Sequence, residues 1–214
     1  MRRRTWGGGR VDGALAYLVA VVAVLVVVVL VVVVRAATRP GGASPDGRPA
    51  RGGATDAPRG GRHRLAVGDR VRIGEREYVV NGTIRLVEGD WSWVQYLLDD
   101  NSGPARRLSV EGAGGADLEL VLWTAEPGAT VTPGAPTIDL GGRRYTWAET
   151  GQARYTAIGE TGLPSAGTMR YHDYQSGSNA RLSFEAYGEE GWRVARGDLI
   201  DPADLAIRPA GGER

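Results

Sequence analysis

Asp99-Asp-Asn-Ser-Gly-Pro-Ala-Arg-Arg-Leu-Ser-Val-Glu-Gly-Ala-Gly114 and Asp173-Tyr-Gln-Ser-Gly-Ser-Asn-Ala-Arg-Leu-Ser-Phe-Glu-Ala-Tyr-Gly188 align without a gap at a shift of 74 and agree at eight of sixteen positions. Each begins with an Asp-x-x-Ser-Gly group that has the residues of a tight turn, the aspartate able to cap its own backbone. Each then alternates with period two. Leu108 and Val110, like Leu182 and Phe184, point one way, while Arg107, Ser109 and Glu111, like Arg181, Ser183 and Glu185, point the other. The segment is therefore a turn followed by a strand, used twice, with an Arg-x-Ser-x-Glu stripe on one face of each copy.

Working outward, a shift of 67 sets Gly74, Arg76 and Tyr78 on Gly141, Arg143 and Tyr145. The seven-residue difference between the two shifts falls at Gly162–Thr168, which reads as a longer loop. After Leu65 no stretch keeps a helical period. Strands are expected at Arg70–Ile73, Arg76–Val80, Thr83–Val87, Trp91–Leu98, Arg107–Glu111 and Leu118–Trp123, then at Thr137–Leu140, Arg143–Trp147, Ala153–Ile158, Met169–Tyr174, Arg181–Tyr187 and Trp192–Ala195. Asn81-Gly82 between two of these carries a strong hairpin signal. The expected fold is all-β: two tandem similar halves, about 65–126 and 136–207, packed as a sandwich or as small barrels.

The N-terminal third is of another kind. A 13-residue basic tail precedes Ala14–Val34, 21 uncharged, mostly aliphatic residues. Such a helix is about 30 Å long and matches a bilayer's hydrocarbon core. Signal-peptide apolar regions are shorter, so an uncleaved single-pass anchor in the lipid bilayer is expected. Residues 35–64 hold no aliphatic side chain larger than alanine and read as a disordered Arg/Gly/Pro-rich stalk; residues 208–214 form a C-terminal tail. Four arginines before the span face four shortly after it, so the positive-inside rule assigns no orientation.

Composition removes several function classes. All 26 basic residues of the 214 are arginine, there is no cysteine, and there are two histidines. Schiff-base lysine chemistry, thiol nucleophiles, disulfides and thiolate zinc sites are excluded, and no cofactor or metal site is expected. The net charge of +1 conceals a split: residues 1–64 hold 11 Arg and 3 Asp, or +8, and residues 65–214 hold 15 Arg and 22 acidic residues, or −7. An acidic domain argues against nucleic acid as a partner.

The sequence resembles the bacterial family catalogued as domain of unknown function 4178 over about residues 65–207. The likeness rests on Leu65-Ala-Val-Gly68-Asp69, Trp93-Val-Gln-Tyr96-Leu-Leu-Asp99-Asp, Arg107-Leu-Ser-Val-Glu111, Tyr171-His-Asp-Tyr174 and Leu182-Ser-Phe-Glu185. Family members commonly carry an acidic residue where this chain has Gln95, and often a tryptophan where it has Arg107. The resemblance implies a β-rich module without an established activity, sometimes membrane-anchored and often encoded near polyamine-synthesis genes and other small membrane proteins. Anchor-free members tilt the domain toward the cytoplasmic side.

Two constellations could carry function. The carboxylates Asp99, Asp173, Glu111 and Glu185 lie on the duplicated hairpins and would suit carboxylate-based hydrolysis if they converged. Turn-capping aspartates and Arg–Glu pairs on the strand surface are the plainer expectation. His172 and Asp173 are strand neighbours that point to opposite faces, so they do not form a base and its orienter. The tryptophans and tyrosines, among them Trp93 and Tyr171, serve a core or, with the net negative charge, line a cleft for an organic cation. Absent a catalytic set, the expected function is a non-enzymatic binding or scaffolding module, tethered to the membrane and able to engage a membrane protein partner.

Overall fold

The computed structural model describes residues 64–112, 118–177 and 179–211. The anchor at 14–34 and the stalk up to residue 63 lie outside the described residues, and no described helix is long and apolar enough to cross a membrane. Eleven strands account for most of what is described: β1 (Arg70–Ile73), β2 (Arg76–Glu88), β3 (Trp91–Asp99), β4 (Arg106–Glu111), β5 (Glu119–Ala125), β6 (Thr137–Leu140), β7 (Arg143–Gly159), β8 (Ala166–Ser176), β9 (Ala180–Tyr187), β10 (Arg193–Leu199) and β11 (Leu205–Arg208). One 3-10 turn, Pro202–Asp204, leads into β11.

All pairings are antiparallel, in the order β11-β1-β2-β3-β4-β5-β10-β9-β8-β7-β6, with an additional pairing of β2 with β7. That pairing closes β2, β3, β4, β5, β10, β9, β8 and β7 into an eight-stranded barrel. Closure pairs the backbone of every barrel strand on both sides, and eight strands leave an interior that side chains can fill. The all-β expectation holds. The sandwich and the pair of separate barrels do not, because the strands before and after the 126–136 connection share one barrel. They meet along two seams, β2–β7 and β5–β10.

Two expected strand breaks are absent. Asn81-Gly82 makes no hairpin; β2 runs through it as a bulge between Val80 and Gly82, and β7 has an equivalent register shift between Trp147 and Glu149. The reason lies at the β2–β7 seam. The carbonyl of Asn81 accepts from Glu160 N (2.8 Å), and a Cβ on Gly82 would lie 2.7 Å from Thr161 Cγ2. The glycine thus serves close strand approach rather than chain reversal.

The barrel wall is covered on its outside by apolar clusters. Leu108, Val110, Tyr96, Leu98, Tyr78 and Val80 pack beneath Val71 and Ile73 of β1, with Leu205 and Ile207 of β11 against them. Tyr174, Leu182 and Phe184 pack with Ile138 of β6, with Trp192 against them. Asp69 ties both ends of the domain together, accepting from Ala66 N (2.8 Å) and Ala210 N (2.9 Å). Each large buried apolar side chain contributes about 1.5–3 kcal/mol of burial. A third cluster, Ile84, Leu86, Ala153, Tyr155, Met169, Tyr171 and Tyr187, lies on the inward face, so the interior is apolar in one part and carries polar side chains in another.

Candidate functional site

The alternation of β4 and β9 turns Arg107, Ser109 and Glu111, and Arg181, Ser183 and Glu185, toward the barrel axis. Glu185 is 3% exposed and reaches from β9 across the interior to β3 and β4. Gln95 Nε2 donates to its Oε1 at 2.7 Å, and the Arg107 guanidinium pairs with it at 2.8 Å. The Tyr187 hydroxyl stands 3.1 Å from Glu185 Oε2 and 3.2 Å from Gln95 Oε1. Burial, followed by the Glu185 charge, holds the Tyr187 phenol well above its ordinary pKa. Arg107 also stacks on Trp123 (5.5 Å), whose indole donates to Ser109 Oγ at 2.9 Å. The expected surface Arg–Glu pairing is therefore corrected. Arg107–Glu185 is an interior ion pair, because the parity that puts Leu108, Leu182 and Phe184 in the outer clusters turns Arg107 and Glu185 inward.

At the end of the barrel marked by the β2–β3 turn, aromatic and acidic groups gather. Tyr171 on β8 donates to Glu88 Oε2 at 2.7 Å, and Gln152 N reaches Glu88 Oε1 at 3.3 Å. The Tyr171 and Trp93 rings meet edge-on at 5.9 Å. Trp93 is the cross-strand partner of Glu111, and Trp91 of Glu88. Trp91 Nε1 donates to Glu111 Oε1 at 2.9 Å and the Trp91 side chain is exposed. Gly151 lets Tyr171 and Glu88 approach the β7 backbone, since a Cβ there would lie 2.5 Å from the Tyr171 hydroxyl and 2.6 Å from Glu88 Oε1. Burial, then the hydrogen bond to Glu88, then the Glu149 charge raise the Tyr171 pKa, so it stays a neutral donor.

Asp173, two residues along β8 from Tyr171, is the cross-strand partner of Glu149 on β7 and Ser183 on β9. The residue as a whole is half-buried, yet its Oδ1 is sealed from solvent without a hydrogen-bond partner. Burial raises its pKa to about 8, Glu149 and Glu185 add to the rise, and the Ser183 hydroxyl and Arg107 oppose it. Asp173 thus holds a proton at neutral pH.

Of the expected residues, Glu111, Trp93 and Tyr171 come together at the barrel mouth with Asp173 on the same interior face, and Glu185 lies deeper. Asp99 is apart from them: at the end of β3 it caps the following turn through Asn101 N (2.7 Å) and accepts from Asn81 Nδ2 (3.2 Å). His172, as expected, faces away from Asp173. It sits outside the barrel at the end of a Trp147 Nε1–Thr150 Oγ1–His172 Nδ1 chain (3.0 and 2.7 Å), its pKa lowered by burial and then by Arg170. Glu88, Gln95 and Glu149 were missed. Glu88 precedes a Gly-Asp turn and resembles a loop residue, while Glu149 stands where a strand break was expected. Gln95 shares its parity with Trp93, the one signal available for it. Among the described residues no group of three or more His, Asp or Glu is placed to hold a metal ion.

A family model described as domain of unknown function (DUF4178) matches residues 66–202. The chain belongs to that family. Uncharacterised proteins of Mycobacterium tuberculosis strain H37Rv and of Mycobacterium bovis are each 33% identical to it over 159 residues, 72% of this chain and 76% of the relative. No solved structure matches it. In this DUF4178 chain Gln95 and Arg107 both contact Glu185 across the barrel. A carboxylate at 95 would face Glu185 as a like charge; the amide instead donates to it.

Proposed function

We propose that this protein is a membrane-tethered, non-catalytic binding module whose barrel mouth takes an organic cation. The observation that carries the reading is the meeting of Glu88 and Glu111 with Trp91, Trp93 and Tyr171 at one end of the barrel, with Glu149 beside Tyr171. Aromatic faces and carboxylates together stabilise alkylammonium groups by about 0.5–2 kcal/mol per ring contact plus the charge attraction. The −7 charge of residues 65–214 would draw such a ligand in and repel nucleic acid. Calorimetry of the full chain in detergent with n-butylammonium and with spermidine, at two salt concentrations, tests this. Binding that weakens with salt supports it, and no heat at millimolar ligand refutes it.

The two strand sets are read as tandem copies of one unit. Their like strand order, their bulges at equivalent places and the eight shared positions support this. The helix at 14–34 is proposed as the single-pass anchor and the stalk as its tether, with a membrane protein as a further partner. The domain is assigned to the cytoplasmic side by analogy with anchor-free members. A reporter fused after Arg214 that is active only outside the cytoplasm would overturn that side. Carboxylate-based hydrolysis is the second reading, favoured by one observation: Asp173 holds a proton beside Glu149 and Glu185, a divergence of roles that acid catalysis uses. Turnover of a glycoside substrate abolished by Asp173→Asn would favour it over binding alone.

A further inference from the structure

One strip of the barrel's outer wall has no cover. The clusters beneath β1 with β11 and beneath β6 cover outward side chains of β3, β4 and β9. On β7 and β8 the inward parity belongs to Ala153, Tyr155, Met169 and Tyr171, and the alternate residues, from Gln152 to Ile158 and from Thr168 to Arg170, stand exposed outside. Register places Arg85 of β2 opposite Thr156, Arg154 opposite Val87 and Thr168, and Arg170 opposite Gln152, so three arginines step diagonally across β2, β7 and β8. Among the described residues Arg85 and Arg154 have no ion-pair partner, and Arg170 lies over the Trp192 ring at 5.3 Å. The carboxylates of these stretches, Glu88, Glu149 and Asp173, turn inward, so the strip is cationic although residues 65–214 carry a net charge of −7. At one end of it Ile158 is 69% exposed, and Val67, 44% exposed, approaches Gly159, where a Cβ would lie 3.0 Å from Val67 Cγ2.

We propose that this strip is the face the domain lays on an anionic bilayer, with Arg85, Arg154 and Arg170 meeting lipid phosphates and Ile158 and Val67 entering the boundary between headgroups and acyl chains. This rests on the membrane-anchor reading above and adds to it the face that meets the lipid. Guanidinium groups without carboxylate partners suit phosphate oxygens, and exposed aliphatic side chains beside them suit the acyl boundary. A nucleic acid would use the arginines and leave Ile158 and Val67 in water. The bilayer is also within reach, because 29 residues separate Val34 from Arg64, and a chain of that length and composition spans about 30 Å. That chain joins the domain three residues before Val67, at the apolar end of the strip. The strip is a side of the barrel, so docking it leaves the mouth clear.

The chain has no cysteine, so Ile158→Cys gives the full chain a single attachment point for a nitrobenzoxadiazole label. In nanodiscs of phosphatidylcholine and phosphatidylglycerol in equal parts, the label is expected to emit further to the blue and to be quenched more by spin-labelled lipid than in discs of phosphatidylcholine alone. Asp198→Cys, exposed on β10 at the opposite seam, is expected to show no difference between the two lipids. Arg85→Gln, Arg154→Gln and Arg170→Gln together leave no carboxylate without a partner. Each arginine contributes about fivefold to the affinity for anionic lipid, so the triple variant should lose roughly a hundredfold and return the signal at position 158 to its phosphatidylcholine value. Equal signals in the two lipids, a matching shift at position 198, or a shift that survives the triple variant overturns the docking face and leaves the anchor standing. A shift produced by polyglutamate or duplex DNA but not by anionic lipid gives the strip another occupant and overturns the proposal. A chain that stays out of the discs overturns both the anchor and the face.

Discussion

Glu185→Gln isolates the charge at the centre of the barrel. The amide keeps an oxygen for Gln95 Nε2 (2.7 Å) and turns its NH2 to the Tyr187 hydroxyl oxygen (3.1 Å), which can accept, so the principal loss is the charge partner of Arg107, held at 2.8 Å and with its Nε already unpartnered. Glu185 is 3% exposed, and the Arg107 side chain is largely buried against Trp123. Removing one member of a buried ion pair costs about 3–5 kcal/mol, because the remaining charge is left desolvated. Against a typical total of about 5–15 kcal/mol this is a large fraction. Replacing both members by apolar residues, Arg107→Met with Glu185→Leu, removes the charges together and is expected to cost no more than about 1–2 kcal/mol. Urea unfolding of the full chain in detergent, followed by tryptophan fluorescence, provides the free energies and the coupling of the double-mutant cycle. A Glu185→Gln cost below about 1 kcal/mol, or a double variant weaker than either single one, would refute the placement of this pair in a desolvated interior.

Asp173 sets a pH dependence of the opposite sense to an ordinary ion-paired carboxylate. Its folded pKa of about 8 lies above the ordinary aspartate value of 3.8 that applies to the unfolded chain, so between these values the folded state binds the extra proton. The stabilisation is complete below about pH 4 and is lost as pH rises through about 8, amounting to as much as about 5 kcal/mol. Thermal melts across that range should show the decline, and Asp173→Asn should flatten it. Gly197 faces Trp123 across the β5–β10 seam, where a Cβ would lie 2.6 Å from Val121 Cγ1 and 2.7 Å from Trp123 Cε3. Gly197→Ala is expected to lower stability by about 1–3 kcal/mol, while Gly191→Ala, with open space around it, should stay within about 0.5 kcal/mol. Equal costs at the two glycines would contradict the tight seam.

Much of the strand set was legible from the period-two alternation, including the opposed faces of Arg107-Leu-Ser-Val-Glu111. Which face points inward was not. Alternation divides a strand into two faces but does not rank them, and hydropathy assigns the apolar one to the core. Here Leu108 and Leu182 do lie in cores, but these form outside the barrel under β1, β11 and β6, leaving Arg107, Ser109, Ser183 and Glu185 within it. Asn81-Gly82 misled for a related reason, since the local sequence of a hairpin and of a bulge at a closing seam is the same and only the partner strand β7 tells them apart. Glu111, Trp93 and Tyr171 could be named as candidates because they carry charge or a large ring. That they meet, and that Asp99 does not join them, depends on barrel closure between residues some 80 positions apart, as in Glu88 and Tyr171.

The most direct test of the cation site is the indole N–H spectrum of the 15N-labelled full chain during an n-butylammonium titration. The Trp91 and Trp93 signals should move together and saturate, while those of Trp147 and Trp192, outside the barrel, stay in place. Unmoved Trp91 and Trp93 signals at millimolar ligand, or shifts confined to Trp147 and Trp192, would contradict a cation site at the barrel mouth.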